Sequence, residues 1–439
     1  MIIPPLGAQA VRNARIEANE KEYDAWNKRR HIALQYYNGE TEDITRDHFS
    51  KELAAQIPVA NNNITRRIID RVSEVYMVET DRHFGENERA NDYYHELTTR
   101  KYMRMQRIER MTNLLEVVAV RPMRRADGSL DYEYLVEFVP GFDTDGNLTS
   151  VMYPIRQSAN IHAADEQEWV VWDEFGWHRM DANGVEKDSE AYNFFPWLLS
   201  WREEPPYFYD HLPSPDLIQS NLCINFAQTA MMANTAFQSF GQPFVTGLQE
   251  GQEQQLQWGI DKLPVLPEGA SAGMLSPPST VAGIIEAQKF LYKMIARSYH
   301  LPEDFVEGTT AESGVAIRLR NQELQNERRG DIARWRQFER ALYEKELQLI
   351  GGGLHDSINI DFSESEEVLN PQEQMERDQW DLEHNLTTLV DIMRRRNPDL
   401  DEDQARQLLE SNQEANAALA GQPKPQGSII GELLGAGGE

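Results

Sequence analysis

The stretch SPDLIQSNLCINFAQTAMMANTAFQSF (214–240) decides the fold more than any other part of the chain. Its residues are good helix formers, yet Gln, Asn, Ser or Thr recurs at nearly every turn. Asp216 is the single charged residue between Leu212 and Gln249. A membrane helix would not carry so many amide side chains. We therefore predict a helix that packs on several sides, either between copies of the chain in a ring or inside a large monomer.

The next segment is rich in glycine and proline. Residues 241–280 hold these turn formers, and short strands are predicted at 243–246 and 262–266. Apolar residues at helical spacing predict a second helix over 281–299. Two helices are thus expected to bracket a compact insert of loops and strands.

A loop and a long helix follow. The loop is predicted over 301–314 (LPEDFVEGTTAESG), and Ser313 is expected to cap a helix that runs to Ile350. The helix carries eight bases and six acids, a net charge of +2. The mixed signs indicate ion pairs along the helix, within or between subunits. Contact with DNA is the alternative role for some of its arginines, namely Arg318, Arg320, Arg328, Arg329 and Arg334.

Hydrophobic periodicity also predicts helices and strands before residue 214 and after residue 350. Helices are predicted over 8–38, 61–78 and 86–112, and strands at 117–123 and 132–139 flank the turn Asp127-Gly128. Residues 115–200 are expected to be mostly antiparallel β structure. After the long helix, a strand over 358–362 and helices over 371–395 and 401–417 are predicted, followed by a flexible Gly/Pro-rich tail.

Charge and cysteine content restrict the function. The 439-residue chain has a net charge of -29, which argues against a protein that grips DNA along its whole surface, because such binding needs Lys and Arg to neutralise phosphates. The acid excess fits a very soluble protein or a surface that must not adhere to a polyanion. Cys223 is the one cysteine and is expected to be a buried structural thiol. With no signal peptide visible and no apolar run long enough to span a membrane, assembly in the cytoplasm is expected.

Catalytic and metal motifs were sought without success. The sequence has no P-loop, no nucleophile-elbow motif, no H-E-x-x-H and no paired cysteines. Asp143 to Asn147 hints at a calcium loop, but its spacing fits a hairpin turn better. Glu364, Glu366 and Glu367 could suggest two-metal nuclease chemistry, and a solvated acidic face is the better interpretation. We therefore expect no enzyme activity and no cofactor or metal.

Three stretches resemble one protein family in their sequence and order. They are VANNNITRRIIDRVSEVYM (59–77), the segment quoted first, and ESGVAIRLRNQELQNERRGDIARWRQFERALYEKELQLIG (312–351). Together with the elements between them, they resemble the portal proteins of tailed bacteriophages, and the likeness covers nearly the whole chain. The resemblance implies an α+β, mostly helical fold that assembles as a ring: a β-rich wing, a two-helix stem, a small α/β clip, a long kinked tunnel helix and a helical crown.

The family's element order implies boundaries in this chain. The N-terminal helices and wing would be 1–213, the first stem helix 214–240, the clip 241–279, the second stem helix 280–300, the tunnel loop 301–314, the long helix and return strand 315–363, the crown 371–418 and the flexible tail 419–439. The crown and tail are short for the family, which puts a long helical barrel in doubt.

The resemblance also implies function and partners. Portals form twelve-membered rings at one capsid vertex of the virion, dock the terminase motor during packaging and later the head–tail adaptor, and let double-stranded DNA pass without sequence specificity. The major capsid protein would be a further partner, and no membrane is involved. Tunnel-loop residues would be Glu303, Asp304, Glu307, Thr309, Thr310, Glu312 and Ser313, and the adaptor would meet Gln242, Phe244, Trp258, Leu263 and Val265. The alternatives are another virion structural protein, such as an adaptor or scaffold, and a metal-dependent nuclease.

Overall fold

The computed structural model describes residues 8–155, 168–181, 184–210, 213–240, 242–247, 269–275, 281–302, 314–351, 354, 357–362, 371–397 and 400–420. Only the backbone is described for 8–21, 237–240, 242–243, 274–275, 314–323, 371, 373 and 415–420. The chain divides into two compact units, one formed by Met1–Glu312 with Leu319–Ser365 and the other by Ser313–Arg318 with Glu366–Glu439. About 53% of the chain is helical and the sheets are small, so the α+β, mostly helical prediction is confirmed.

Six helices lie within residues 8–115. They are α1 (Ala8–Asn38), α2 (Glu42–Arg46), α3 (Lys51–Ala54), α4 (Ile64–Val72), α5 (Glu88–Leu97) and α6 (Lys101–Leu115). The predicted helix at 8–38 is confirmed, and it ends because Gly39 adopts φ +80°. The short α2 and α3 occupy a segment that the sequence predicted only as a loop.

The predicted helix at 61–78 is wrong at both ends. The Asn63 side chain accepts a hydrogen bond from the Arg66 N–H and so starts α4 three residues late. At the other end, the Val75 and Tyr76 N–H groups donate to the buried Glu109 carboxylate, at 2.9 and 3.1 Å, instead of continuing the helix. A carboxylate from a distant helix thus replaces the helical acceptors, which periodicity does not reveal.

The predicted single helix at 86–112 is two helices. The chain leaves the α conformation after Leu97, where the Thr98 hydroxyl donates to the Tyr94 carbonyl. It re-enters at Lys101, whose side chain is buried.

The β region contains β1 (Asp81–His83), β2 (Val117–Arg124), β3 (Leu130–Leu135), β4 (Val139–Phe142), β5 (Leu148–Ile155), β6 (Glu168–Asp173), β7 (Gly176–Met180), β8 (Glu186–Ala191) and β9 (Leu198–Trp201). One sheet has the order β3-β2-β9 and another the order β4-β5-β6-β7-β8, with every pair antiparallel, as predicted. The hairpin at Asp127-Gly128 is confirmed. The Asp143 to Asn147 segment is the turn between β4 and β5, and Asp143 accepts N–H groups of that turn.

Aromatic residues form the core between α1 and the sheets. Trp26 of α1 packs edge-on against Phe138, and Trp172 and Trp197 complete the cluster. Arg30, one turn after Trp26, is 1% exposed and donates to three carbonyls, those of Leu115, Val117 and Val136. Burial lowers its pKa to about 9, but three charge-assisted hydrogen bonds hold the guanidinium in place.

The C-terminal half of the first unit contains α7 (Pro215–Phe240), β10 (Gln242–Thr246), β11 (Ser271–Leu275), α8 (Val281–Ser298), β12 (Asn359–Asp361) and, from Leu319 onward, α9 (Gly314–Ile350). The predicted helices at 214–240, 281–299 and 314–350 are confirmed, as is the strand at 243–246. The strand predicted at 262–266 lies outside the described residues. The partner of β10 is β11, which was not predicted, and β12 pairs with the equally unpredicted β1.

A second and larger core joins these helices to the N-terminal ones. It includes Ile68 of α4, Ile108 of α6, Leu217 of α7 and both Trp335 and Leu342 of α9. Because α9 contributes its apolar face to this core, the long helix is fixed along its second half.

The second unit has three further helices, α10 (Pro371–Glu383), α11 (Leu389–Arg396) and α12 (Glu402–Ala420). The predicted helix at 371–395 is therefore interrupted. Asn385 adopts φ +56°, and Thr388 starts α11 with a reciprocal capping interaction to Asp391. The Asp378 carboxylate of α10 accepts a hydrogen bond from the Arg395 guanidinium of α11 at 3.0 Å and so holds the two helices together.

Candidate functional site: the helical hairpin and the long helix

The helical hairpin, defined as α7, β10, β11 and α8, stands at the centre of the candidate site. The two helices run antiparallel: Tyr299, just after α8, reaches Asp216 at the start of α7 (3.3 Å), and Gln288 donates to the Ile224 carbonyl (3.4 Å). The two strands pair antiparallel, β10 soon after α7 and β11 shortly before α8. The arrangement is an antiparallel pair of helices with a small β element at the end where α7 stops and α8 starts.

Three polar residues on one stripe of α7 join this pair of helices to the N-terminal region. This asparagine ladder consists of Asn221, Asn225 and Thr229, each fully buried and four residues from the next. Asn221 accepts the Ile64 and Thr65 N–H groups at 3.2 and 3.0 Å and donates to the Asn62 carbonyl at 2.9 Å. The ladder thus supplies backbone hydrogen-bond partners to an extended segment of the same chain.

The other two residues of the asparagine ladder, Asn225 and Thr229, also accept backbone N–H groups of this segment. Asn225 accepts the Asn62 N–H at 2.8 Å, and the Thr229 hydroxyl accepts the Ala60 N–H at 2.9 Å. The uncharged polar character of α7 therefore has an explanation within one chain, and these residues do not require a neighbouring copy. Cys223 lies on the same helix, partly buried, with the Gln219 amide 3.8 Å from its sulfur.

The outward face of α8 carries large apolar side chains. Ile295 and Tyr299 are buried towards the rest of the chain, whereas Phe290 and Met294, one turn apart, are 63% and 50% exposed. Phe244 on β10 is also exposed, and its ring lies so close to Gly273 that a Cβ there would be 2.5 Å away. A side chain at this cross-strand position would displace the exposed Phe244 ring.

The predicted adaptor and tunnel residues are only partly described. Phe244 is exposed on β10, and Gln242 lies on the same strand with only its backbone described. The remaining adaptor residues, Trp258, Leu263 and Val265, and the tunnel-loop residues, Glu303, Asp304, Glu307, Thr309, Thr310, Glu312 and Ser313, lie outside the described residues.

The predicted arginines of α9 differ in their surroundings. Arg328 is 7% exposed and donates to the Glu74 carbonyl at 3.2 Å. Arg334 donates to the Trp201 carbonyl and pairs with Asp331 at 3.0 Å. Both therefore hold α9 to its own chain. Arg329 is exposed, and the side chains of Arg318 and Arg320 lie outside the described part.

A buried ionic cluster, which the sequence did not reveal, fastens α9 further along. It consists of Arg82, Lys101, Glu339 and Glu346, together with the hydroxyls of Tyr76, Tyr94 and Tyr132. Lys101 lies 2.7 Å from Glu346 and 3.4 Å from Glu339. The two carboxylates are fully buried, seven residues apart on one helix face.

The electrostatics of the buried ionic cluster favour the charged state. Burial opposes ionisation of Glu339, but Arg82 and Lys101 outweigh it and hold the pKa of that carboxyl at about 2. Burial raises the pKa of all three tyrosines well above the ordinary value, so they remain hydrogen-bond donors. Each charge has a partner, as a buried charge requires.

The positions of two acids in the sequence of α9 could have predicted this cluster. Glu339 and Glu346 fall within the apolar stripe of α9 formed by Trp335, Phe338 and Leu342. The mixed charges of α9 predict only ion pairs along the helix, within or between subunits. An acid inside an apolar stripe instead predicts a buried partner from elsewhere in the chain.

Among the described residues, no group of three or more His, Cys, Asp or Glu is placed to hold a metal ion. No helix in that part of the chain is long and apolar enough to cross a membrane. What the arrangement provides is an antiparallel pair of helices and a long helix, both held by buried contacts to the N-terminal part of the chain.

Comparison with known proteins gives distant structural matches. No family model matches the chain, and a search of curated proteins finds no match. Among solved structures, a chain from the virion of a native gene transfer agent particle aligns with 12% identity and a TM-score of 0.43, over 74% of this chain and 86% of that one. A chain from the neck of an empty gene transfer agent particle aligns with 12% identity and a TM-score of 0.43, over 73% and 85%.

Proposed function

We propose that this chain is the portal subunit of a tailed-phage-type particle, in which twelve copies form a ring at one capsid vertex and DNA passes through the centre. The helical hairpin carries this proposal. Its two helices pack antiparallel, are joined to the N-terminal region by the asparagine ladder and lead into a two-stranded antiparallel sheet, in the order expected of stem, clip and stem. The long helix α9 follows in the expected place.

The dimensions of the hairpin support a projecting stem. At about 1.5 Å per residue, α7 is about 39 Å long, and the ladder residues lie within its first 15 residues, or about 22 Å. The part after Thr229, with β10 and β11 beyond it, carries the element that would meet an adaptor or a motor. A rod fixed at its base suits a part that must bear load while other proteins bind its tip.

Charge supports passage of DNA over tight binding. The chain has 72 acids against 43 bases, and residues 303–313 contain four acids and no Lys or Arg. A surface of this sign releases few counterions on contact with phosphate and so adheres weakly to DNA. Weak, sequence-independent contact is what a channel for a sliding duplex needs.

The proposed partners follow from this role. They are eleven further copies, the major capsid protein, the terminase motor during packaging, the head–tail adaptor afterwards and the DNA itself, in a particle assembled in the host cytoplasm. Another virion structural role, as adaptor or scaffold, is the alternative, and the projecting hairpin favours the portal over it. A nuclease role has no specific observation in its favour.

The test is the size and shape of the purified protein. Electron microscopy in negative stain should show rings with a central hole of about 20 Å or more, wide enough for duplex DNA. Native mass spectrometry should give about 600 kDa for twelve copies of a 50.6 kDa chain. A species that stays at the monomer mass at every concentration and salt tried would overturn the ring.

A further inference from the structure

The second unit contains an apolar groove between its three helices. Its walls carry Met375 and Leu382 of α10, Leu389, Ile392 and Met393 of α11, and Leu409 of α12. Met375 and Leu389 are 62% and 49% exposed, Leu382, Met393 and Leu409 are partly exposed and Ile392 is buried, so the groove opens to the surface at its rim. Exposed apolar surface of this kind, with a polar rim, is typical of a docking site.

The chain itself supplies a segment of matching chemistry. Residues 428–434 read SIIGELL and place apolar residues at 429, 430, 433 and 434. This spacing puts the four side chains on one face of a helix, with Ser428, Gly431 and Glu432 on the other. So short a helix does not form alone in water, but it can form when its apolar face is laid in a groove.

The linker between α12 and the apolar segment is long enough for the segment to reach the groove. The groove residue Leu409 lies three turns before the end of α12 at Ala420, or about 16 Å back along the helix. Residues 421–428 between them can span about 26 Å when extended. They contain Pro423 and Pro425, which disfavour continuation of α12, and Gly421 and Gly427, which permit a reversal of direction.

Charge at the rim is complementary as well. Arg396 lines the groove, lies 3.5 Å from Asp378 and keeps 65% of its side chain exposed. Glu432, on the polar face of the segment, has the opposite sign. We propose that residues 428–434 dock in the groove of their own chain as a short amphipathic helix and cover the apolar surface of the second unit. The proposal does not depend on the portal assignment.

Hydrogen exchange of the full-length protein tests this directly. Amides of 429–434 should exchange at least tenfold more slowly than those of the preceding linker, 421–427. The double variant Leu433→Asp, Leu434→Asp should abolish this protection and speed exchange in α10 and α11. Exchange of 429–434 at the rate of an unstructured peptide would overturn the proposal.

Variants of the groove separate docking from general destabilisation. Met375→Asp with Leu389→Asp should remove protection of 429–434. The matched control is Leu386→Asp, because Leu386 is 66% exposed in the same unit but does not line the groove. The control should leave the protection unchanged. Equal loss in both variants would contradict binding in this groove.

A disulfide crosslink identifies whose segment occupies the groove. In a Cys223→Ser background, Met375→Cys with Leu433→Cys should form a bond within one chain under mild oxidation. On a non-reducing gel this product runs near the monomer position. A product of two linked chains would assign the groove to the segment of another copy and overturn the proposal, as would the absence of any crosslink.

Discussion

At the scale of single residues, the asparagine ladder shows how buried polar side chains can determine a fold. Asn221, Asn225 and Thr229 have no solvent exposure, yet every one has hydrogen-bond partners in the extended segment around Asn62. An amide can satisfy both a donor and an acceptor of the backbone, which an apolar residue cannot. The ladder therefore joins α7 to the N-terminal region with a defined register.

Asn221→Ala should be strongly destabilising. It leaves the Ile64 and Thr65 N–H groups and the Asn62 carbonyl without partners, and each unsatisfied buried group costs about 1–3 kcal/mol. We expect the free energy of unfolding to fall by about 3 kcal/mol, measured in urea by tryptophan fluorescence. Gln219→Ala, at an exposed position two residues away, should change it by less than about 0.5 kcal/mol. Equal effects of the two variants would contradict the stabilising role of Asn221 in the asparagine ladder.

Glu109 makes stability depend on pH near neutrality. Burial raises the pKa of this carboxyl to about 7, although the Val75 and Tyr76 N–H groups oppose the shift. Because the folded form binds the proton more tightly than the unfolded form, the wild type should gain stability as pH falls from about 7 towards the unfolded value near 4.5. The difference in unfolding free energy between wild type and Glu109→Gln, measured from pH 5 to 8, should follow this sign. A difference independent of pH would show that the pKa of Glu109 is not raised in the folded protein.

At the scale of elements, the buried ionic cluster explains how a 37-residue helix is held in one register. Glu339 and Glu346 lie seven residues apart, and Lys101 of α6 reaches both. A shift of α9 by one turn would leave at least one carboxylate buried without its cation. Such a shift is costly, since an unpaired buried charge is far less stable than a paired one.

The variant Glu346→Gln tests whether the buried ionic cluster fixes the register of α9. Loss of the charge leaves Lys101 with Glu339 alone at 3.4 Å, and breaking a buried pair costs about 3 kcal/mol. The urea midpoint should fall accordingly. Glu344→Gln, two residues away on the exposed face of the same helix, is the matched control and should shift the midpoint little. If both variants behave alike, the cluster does not fix the helix.

The sequence predicted elements better than their junctions. Helical periodicity found α1, α7, α8 and α9 because each repeats its pattern over many turns. It failed where a distant group decides the local structure, as when Glu109 ends α4. The strand predicted over 358–362 is confirmed as β12, but its partner β1, a three-residue strand far away in the sequence, was missed. The candidate site was predicted as elements, but the asparagine ladder and the ionic cluster depend on contacts that sequence spacing does not contain.

At the scale of the whole molecule, charge is the property that a channel would use. The net charge of -29 per chain would be multiplied by the number of copies in a ring. Yet repulsion of DNA depends on where the acids lie, because screening in physiological salt limits each charge to a range of about 8 Å. Acids in residues 303–313, the proposed tunnel loop, should therefore matter more than acids elsewhere.

Neutralising those loop acids should make the assembled ring adhere to DNA. With Glu303→Gln, Asp304→Asn, Glu307→Gln and Glu312→Gln combined, we expect duplex DNA to bind about tenfold more tightly at low salt, with the gain decreasing as salt rises. Fluorescence anisotropy of a labelled duplex across a salt series measures this. The control neutralises four exposed acids on and beside α5: Glu86, Glu88, Asp92 and Glu96. It makes the same change in net charge far along the chain from the loop, so an equal gain in affinity would show that bulk charge, not a tunnel lining, governs contact with DNA.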